Sequence, residues 1–218
     1  MFKGIHPVKC FETILTDDFS ILKDFRKKVR YKDAHTNEYE KDGDVESIVA
    51  SSYNRILEHP DLIYVKKTLM YHFDVFMYNF LKVAPEISTT ITTSWFARIK
   101  KGGAIHNHNH TNSWYSGLLY FDDDYTGAAP LALENPTHVF SHFDMIALND
   151  QAQYRQNAYY EVIPQPNKLF FFPSYIKHMS GVQLADKTRY SLAWNIYPKG
   201  KIGLNNSDSY LDTKWLSS

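Results

Sequence analysis

The chain has 218 residues, enough for one domain with a core of its own. Lys+Arg and Asp+Glu stand at 24 each, so no net field draws the chain to nucleic acid or anionic lipid. The single cysteine, Cys10, excludes an internal disulfide framework and a cysteine-built zinc motif, and no stretch has the apolar length of a bilayer span.

The opening "MFKGIHPVKCFETIL" lacks the continuous apolar run of a signal peptide, which predicts a soluble, cytoplasmic chain. Sixteen Tyr and fourteen Phe suit a β-rich fold, because aromatic side chains fit a pleated, half-buried surface. No repeat or low-complexity linker divides the sequence. The expectation is one domain over 1–218, with a helical layer (1–86), a strand-rich core (87–200) and a tail (201–218).

In chain order, Thr16 or Asp17 can cap a helix carrying Leu22, Phe25 and Val29 on one face. The basic run Phe25–Lys32 on that helix reads as a solvated face. Residues 33–47 are polar and aperiodic and predict an exposed loop, open to a role as a lid. From Pro60, the residues Leu62, Val65, Leu69, Phe73, Phe76 and Phe80 keep helical spacing until Pro85. Strands are then predicted at 88–100, 113–121, 129–134, 159–163, 168–172, 178–183 and 189–197, with a turn at Lys101-Gly-Gly. Short strands after helices suggest a β-sandwich or barrel buttressed by helices.

The chemistry starts at "HNHNHTNSWYSGLLYF", where His106, His108 and His110 alternate and share one face if extended. Imidazole is a common ligand of first-row metals. Two neighbours of this kind chelate an ion once a third ligand arrives, and His178 stands ready after an apolar strand. Further on, Arg189, Ser191, Ala193 and Asn195 alternate and predict one strand face. A buried Arg demands an anion, and Arg with a Ser hydroxyl forms a carboxylate clamp whose charge-assisted hydrogen bond contributes about 1.5–3 kcal/mol.

Together "HNHTNSWYSGLLYF", "FFFPSYIKH" and "RYSLAWN" resemble the Fe(II)- and 2-oxoglutarate-dependent oxygenases, in particular a prolyl-hydroxylase-like branch found in marine bacteria and their phages. The pattern is like H-x-H-x(5)-S-G-x-x-Y, then F-P-S-x-x-x-H, then R-x-S-x-x-x-N. Aligned on Ser116, Gly117 and Tyr120, its paired histidines fall on His108 and His110, and "GAAPLALENP" fits the segment between motifs. The resemblance spans about residues 94 to 197 and implies a double-stranded β-helix (jelly roll).

It also implies roles. His108, His110 and His178 would bind iron, and Arg189 and Ser191 would hold the far carboxylate of 2-oxoglutarate. Tyr120 shares strand parity with the histidines and would reach the same cosubstrate. Ser116 and Asn195 would be pocket or supporting residues, while His106, just outside the pattern, reads as a pocket-rim residue or as a replacement for His110 among the ligands. His110 falls where most of the superfamily has Asp or Glu. Three outcomes are open there: a three-His iron site, a two-His site completed by solvent or an anion, or a dead or repurposed centre. The three-His site is preferred, since imidazole suits iron. The reaction implied is oxidative decarboxylation of 2-oxoglutarate by dioxygen coupled to hydroxylation of a C–H bond, with a prolyl or peptide substrate by analogy and a small molecule as the other class. Two alternatives stand beside it: a three-His zinc hydrolase and a jelly-roll binding module without turnover.

His6, His35, His59 and His72 read as structural or solvated, and His138 and His142 as loop residues despite their i,i+4 spacing. Trp95, Trp114 and Trp194 read as core or pocket wall.

Overall fold

Period-two patterning decides which way each strand faces. The computed structural model describes residues 8–41, 43, 45–136, 158–203 and 206–213. In β10 (Arg189–Lys199), Leu192, Trp194 and Ile196 enter the main core, while Arg189, Ser191 and Ala193 line a cavity on the opposite face. In β5 (Tyr115–Tyr120), Tyr115 and Leu119 join that core, whereas Leu118 and Tyr120 belong to a second cluster between the sheets.

The remaining strands are β1 (Phe11–Ile14), β2 (Tyr31–Asp33), β3 (Val49–Ser52), β4 (Ser88–Ile99), β6 (Leu131–Glu134), β7 (Tyr159–Val162), β8 (Lys168–Pro173), β9 (His178–Ser180), β11 (Lys201–Ile202) and β12 (Leu211–Asp212). Among the described residues, seven form a sheet in the order β1-β8-β5-β10-β4-β3-β2, faced by a three-stranded sheet β7-β6-β9. Every pairing is antiparallel. This is the expected mainly-β jelly roll with helices packed outside it.

Helices α1 (Ser20–Phe25) and α2 (Ile63–Val75) cover the outer face of the large sheet. Val65, Leu69 and Phe73 of α2 are fully buried, and the Phe73 ring meets Phe171 edge-on at 5.1 Å. Each such side chain contributes about 1.5–3 kcal/mol on burial. Gly117 of β5 lies opposite Trp194, and a Cβ there would sit 2.1 Å from the indole Cε2. Only glycine lets the two strands pair around that ring.

Four expectations change. The first helix is shorter than the periodicity suggests. Neither Thr16 nor Asp17 caps it: the N-cap is Phe19, without a side-chain cap bond, Asp18 accepts from the Ser20 N–H at 2.8 Å just ahead of it, and Val29 lies beyond its end. Phe80 is exposed, because α2 widens into a π-helical turn over Phe76–Phe80 that turns Met77 inward instead. The N-terminal layer is mixed rather than helical throughout: β1 extends one edge of the large sheet, and β2 and β3 extend the other, pairing groups that would otherwise be left open. Finally, the 33–47 segment is not wholly free, since Glu40 ion-pairs with the buried Arg98 of β4. Within the basic run, Arg26 is tucked in, paired with Asp122 and lying 4.0 Å over the Tyr190 ring.

No helix among the described residues is long and apolar enough to cross a membrane.

Candidate metal centre

The segment ahead of β5 runs antiparallel to the start of β9. His108 N–H donates to the His178 carbonyl at 3.0 Å, and His178 N–H returns a bond to His108 at 2.8 Å. His110 N–H donates to the Ser174 carbonyl at 3.0 Å. Backbone pairing thus brings residues 70 positions apart to one place. One ring nitrogen from each of His108, His110 and His178 lies within 4.8 Å of the others. Ring centroids are 4.3 Å apart for His108 and His178, 4.9 Å for His110 and His178, and 5.3 Å for His108 and His110.

Each imidazole is held at Nδ1. His108 Nδ1 bonds the His106 carbonyl at 2.8 Å, and His178 Nδ1 bonds the Ile176 carbonyl at 3.0 Å. A carbonyl only accepts, so both carry the proton on Nδ1 and keep an Nε2 lone pair. His110 Nδ1 lies 2.7 Å from Asn195 Oδ1 and 2.9 Å from Ser116 Oγ. Supporting partners of this kind accompany metal-ligating histidines in general.

Two of the rings are also kept neutral by their surroundings. Burial, reinforced by His108 and His110, pushes the His178 pKa down to about 3 against the pull of its carbonyl bond. Burial likewise lowers that of His110, opposed by the Asn195 hydrogen bond and assisted by His108. Neutral imidazole is the form that binds a metal.

The histidines open onto a cavity of about 180 Å³ walled by Trp95, Ala97, Leu131 and Phe172, with Arg189 and Ser191 at its base. Arg189 is buried and donates from Nη2 to the Tyr120 hydroxyl at 2.6 Å. Its Nε has no hydrogen-bond partner, and no carboxylate among the described residues ion-pairs with it. A guanidinium cannot shed its charge, so its presence in the lining makes the cavity electropositive at that point.

The residues expected at the site therefore come together, with two refinements. His106 keeps its ring outside the triad, 5.9 Å from that of His35, and contributes only its carbonyl. Tyr120 is fully buried against Arg189 and is absent from the cavity wall. His6, His138 and His142 lie outside the described residues. His59 accepts from the Asp61 N–H and so caps a turn. Trp95 walls the cavity 5.5 Å from His110, Trp194 is core, and Trp114 packs against the core edge.

Sequence reasoning missed Thr93, Ser174 and the wall contributed by Val49, Ala50 and Ser51. Thr93 and Trp95 were findable, for they share parity on β4 and pair with Asn195 and Ala193. The β3 wall was not, because nothing in a polar loop foretells where the following strand will dock.

Residues 93–195 match the family described as "Putative 2OG-Fe(II) oxygenase", a span that holds the three histidines, Arg189, Ser191 and Asn195. The matched span identifies the jelly-roll core over residues 93–195 as that of a 2OG-Fe(II) oxygenase. This oxygenase is an oxidoreductase whose cofactor is Fe(II) and whose cosubstrate is 2-oxoglutarate. No curated protein sequence matches it. Among solved structures it is similar to a 2OG-Fe(II) oxygenase family oxidoreductase from Burkholderia pseudomallei (9% identity, TM-score 0.55, 81% of this chain and 76% of that one). It is also similar to a Pseudomonas putida prolyl-4-hydroxylase (12%, 0.52, 86% and 92%) and to HygX from Streptomyces hygroscopicus with nickel, 2-oxoglutarate and hygromycin B bound (9%, 0.54, 87% and 82%). At such identities these likenesses establish the fold of the oxygenase and leave its residue roles to its own geometry.

Proposed function

We propose that His108, His110 and His178 hold one ferrous ion through their Nε2 atoms, and that Arg189 and Ser191 bind the far carboxylate of 2-oxoglutarate. The substrate is read as a small molecule or a peptide, hydroxylated at a C–H bond. The observation that carries the reading is the buried, anion-free guanidinium of Arg189 in the same cavity as three clustered imidazoles.

When bound, iron and 2-oxoglutarate supply the oxidising chemistry, dioxygen giving one oxygen atom to succinate, with loss of carbon dioxide, and the other to the substrate C–H bond. The chain supplies position and environment. The carbonyls of His106 and Ile176 aim two rings, and the β9 pairing fixes the distance between them. Tyr120 orients the guanidinium from below. Burial of Arg189 makes its grip on a carboxylate stronger than it would be in water. Trp95, Leu131 and Phe172 keep water from the reacting centre.

A hydrolytic zinc site is disfavoured by the same wall. No Asp or Glu among the described residues lines it to act as base, and the guanidinium would have no task. Prolyl or peptide hydroxylation is supported only by likeness to the Pseudomonas putida enzyme, and a small-molecule substrate by likeness to HygX. Continuity of the core from Leu15 and Phe19 through α2 to Trp194 supports reading 1–218 as one oxygenase domain.

The test is ferrous-dependent conversion of 2-oxoglutarate to succinate. It should proceed slowly without substrate and collapse in His178→Ala and Arg189→Met. Zinc-dependent hydrolysis with no binding of 2-oxoglutarate would overturn the reading.

A further inference from the structure

The imidazole at residue 110, where most of the superfamily has a carboxylate, is supported differently from its two companions. Backbone carbonyls fix the protons of His108 and His178. His110 Nδ1 faces groups that either donate or accept: the Asn195 side-chain amide at 2.7 Å and the Ser116 hydroxyl at 2.9 Å. If the amide were turned over, its NH₂ would donate to Nδ1. The proton of His110 would then sit on Nε2, where the ion should be.

In the structure the amide is turned the other way, with its oxygen toward His110. Asn195 Nδ2 donates to Thr93 Oγ1 at 2.9 Å, and Ser116 Oγ donates to Asn195 Oδ1 at 3.0 Å. Ser116 is bonded in turn to Ser174 at 2.8 Å and Ser174 to Ser113 at 2.7 Å, while Ser113 donates to the Tyr115 carbonyl at 3.0 Å. The register between β10 and β4 shifts immediately after Asn195, and such bulges re-aim side chains. Here Asn195 ends up between Thr93 and His110.

We propose that Asn195, held by Thr93, is a positioning residue that fixes the Nδ1–H tautomer of His110 and so keeps the Nε2 lone pair on the metal side. The inference rests on the three-imidazole reading above. A carboxylate often plays this supporting part for a metal-bound histidine. A neutral amide does so without adding charge, so the oxygenase meets the ion with an uncharged ligand set.

Two readouts test it. Nitrogen-15 NMR of the chelator-stripped oxygenase, labelled at histidine and held above neutral pH, reports which ring nitrogen of His110 carries the proton. Cobalt(II) titration of the same samples reports affinity. In the wild type the proton should be on Nδ1. Asn195→Asp, whose side chain only accepts, should keep that tautomer and bind cobalt at least as tightly. Asn195→Ala should shift His110 toward Nε2–H, leave His108 and His178 unmoved, and weaken cobalt binding about 10–100-fold. If Asn195→Ala fails to fold, Thr93→Val serves instead and should give a mixture of tautomers.

A wild-type His110 protonated on Nε2 overturns the proposal, as does a tautomer that neither Asn195→Ala nor Thr93→Val changes. Wild-type protein that shows the Nδ1–H tautomer but binds no cobalt would overturn the metal reading alone.

Discussion

Arg189 reaches the Tyr120 hydroxyl with Nη2 at 2.6 Å while its buried Nε has no hydrogen-bond partner. In the proposed reading the Tyr120 hydroxyl anchors the guanidinium and the cosubstrate carboxylate meets it from the cavity. Substituting the ligand-facing group should therefore cost more than substituting the anchor. Arg189→Met should weaken 2-oxoglutarate binding about 10–100-fold, matching a charge-assisted bond of about 1.5–3 kcal/mol. Tyr120→Phe should weaken it about 3–10-fold, the scale of a neutral hydrogen bond. Calorimetric titration with 2-oxoglutarate on metal-loaded protein measures both.

The metal-free oxygenase should lose stability in mild acid through His178. Burial holds its folded-state pKa at about 3, well below the ordinary imidazole value of 6.5. The unfolded chain therefore takes up the proton first. The stabilisation is complete above pH 6.5 and is lost as pH falls from there toward about 3. At about 1.4 kcal/mol per pH unit, going from pH 7 to pH 5 should remove about 2 kcal/mol through this residue. Urea midpoints of chelator-stripped wild type and His178→Gln should show a steeper decline for the wild type. Parallel declines would contradict the assignment.

His106→Ala should bind metal within about twofold of wild type, because residue 106 serves the triad through its carbonyl alone. Cobalt titration separates this outcome from the large loss expected of His108→Ala. A comparable loss in both would bring His106 back among the ligands.

Gly117→Ala should destabilise the fold by about 1–3 kcal/mol or more, since its Cβ would sit 2.1 Å from the Trp194 ring. Trp194→Leu, itself costly, should make the alanine less harmful, and a double-mutant cycle on thermal midpoints measures that coupling.

Alternation made much of this legible in advance. Arg189, Ser191, Ala193 and Asn195 share a face in the structure as their spacing predicts, and His178 meets His108 and His110 across a strand pair. Periodicity reports only which residues share a face, not how far an element continues. The Asp18 turn just ahead of α1 and the π turn that exposes Phe80 are local events without a periodic trace. The docking of β2 and β3 on β4 was hidden for another reason. It brings together residues far apart in the chain, among them the ion pair of Glu40 with Arg98, 58 positions apart, and single-sequence patterns carry no long-range partner. The order of paired His, distant His and R-x-S made the centre readable, whereas Thr93 and Ser174 act through partners visible only after folding.

The most direct measurement is an anaerobic crystal structure with Fe(II) and 2-oxoglutarate. The account predicts one ion about 2 Å from the Nε2 atoms of His108, His110 and His178, with the cosubstrate's far carboxylate on Arg189 and Ser191. An ion that leaves His110 uncoordinated, or a cosubstrate bound away from Arg189, would contradict it.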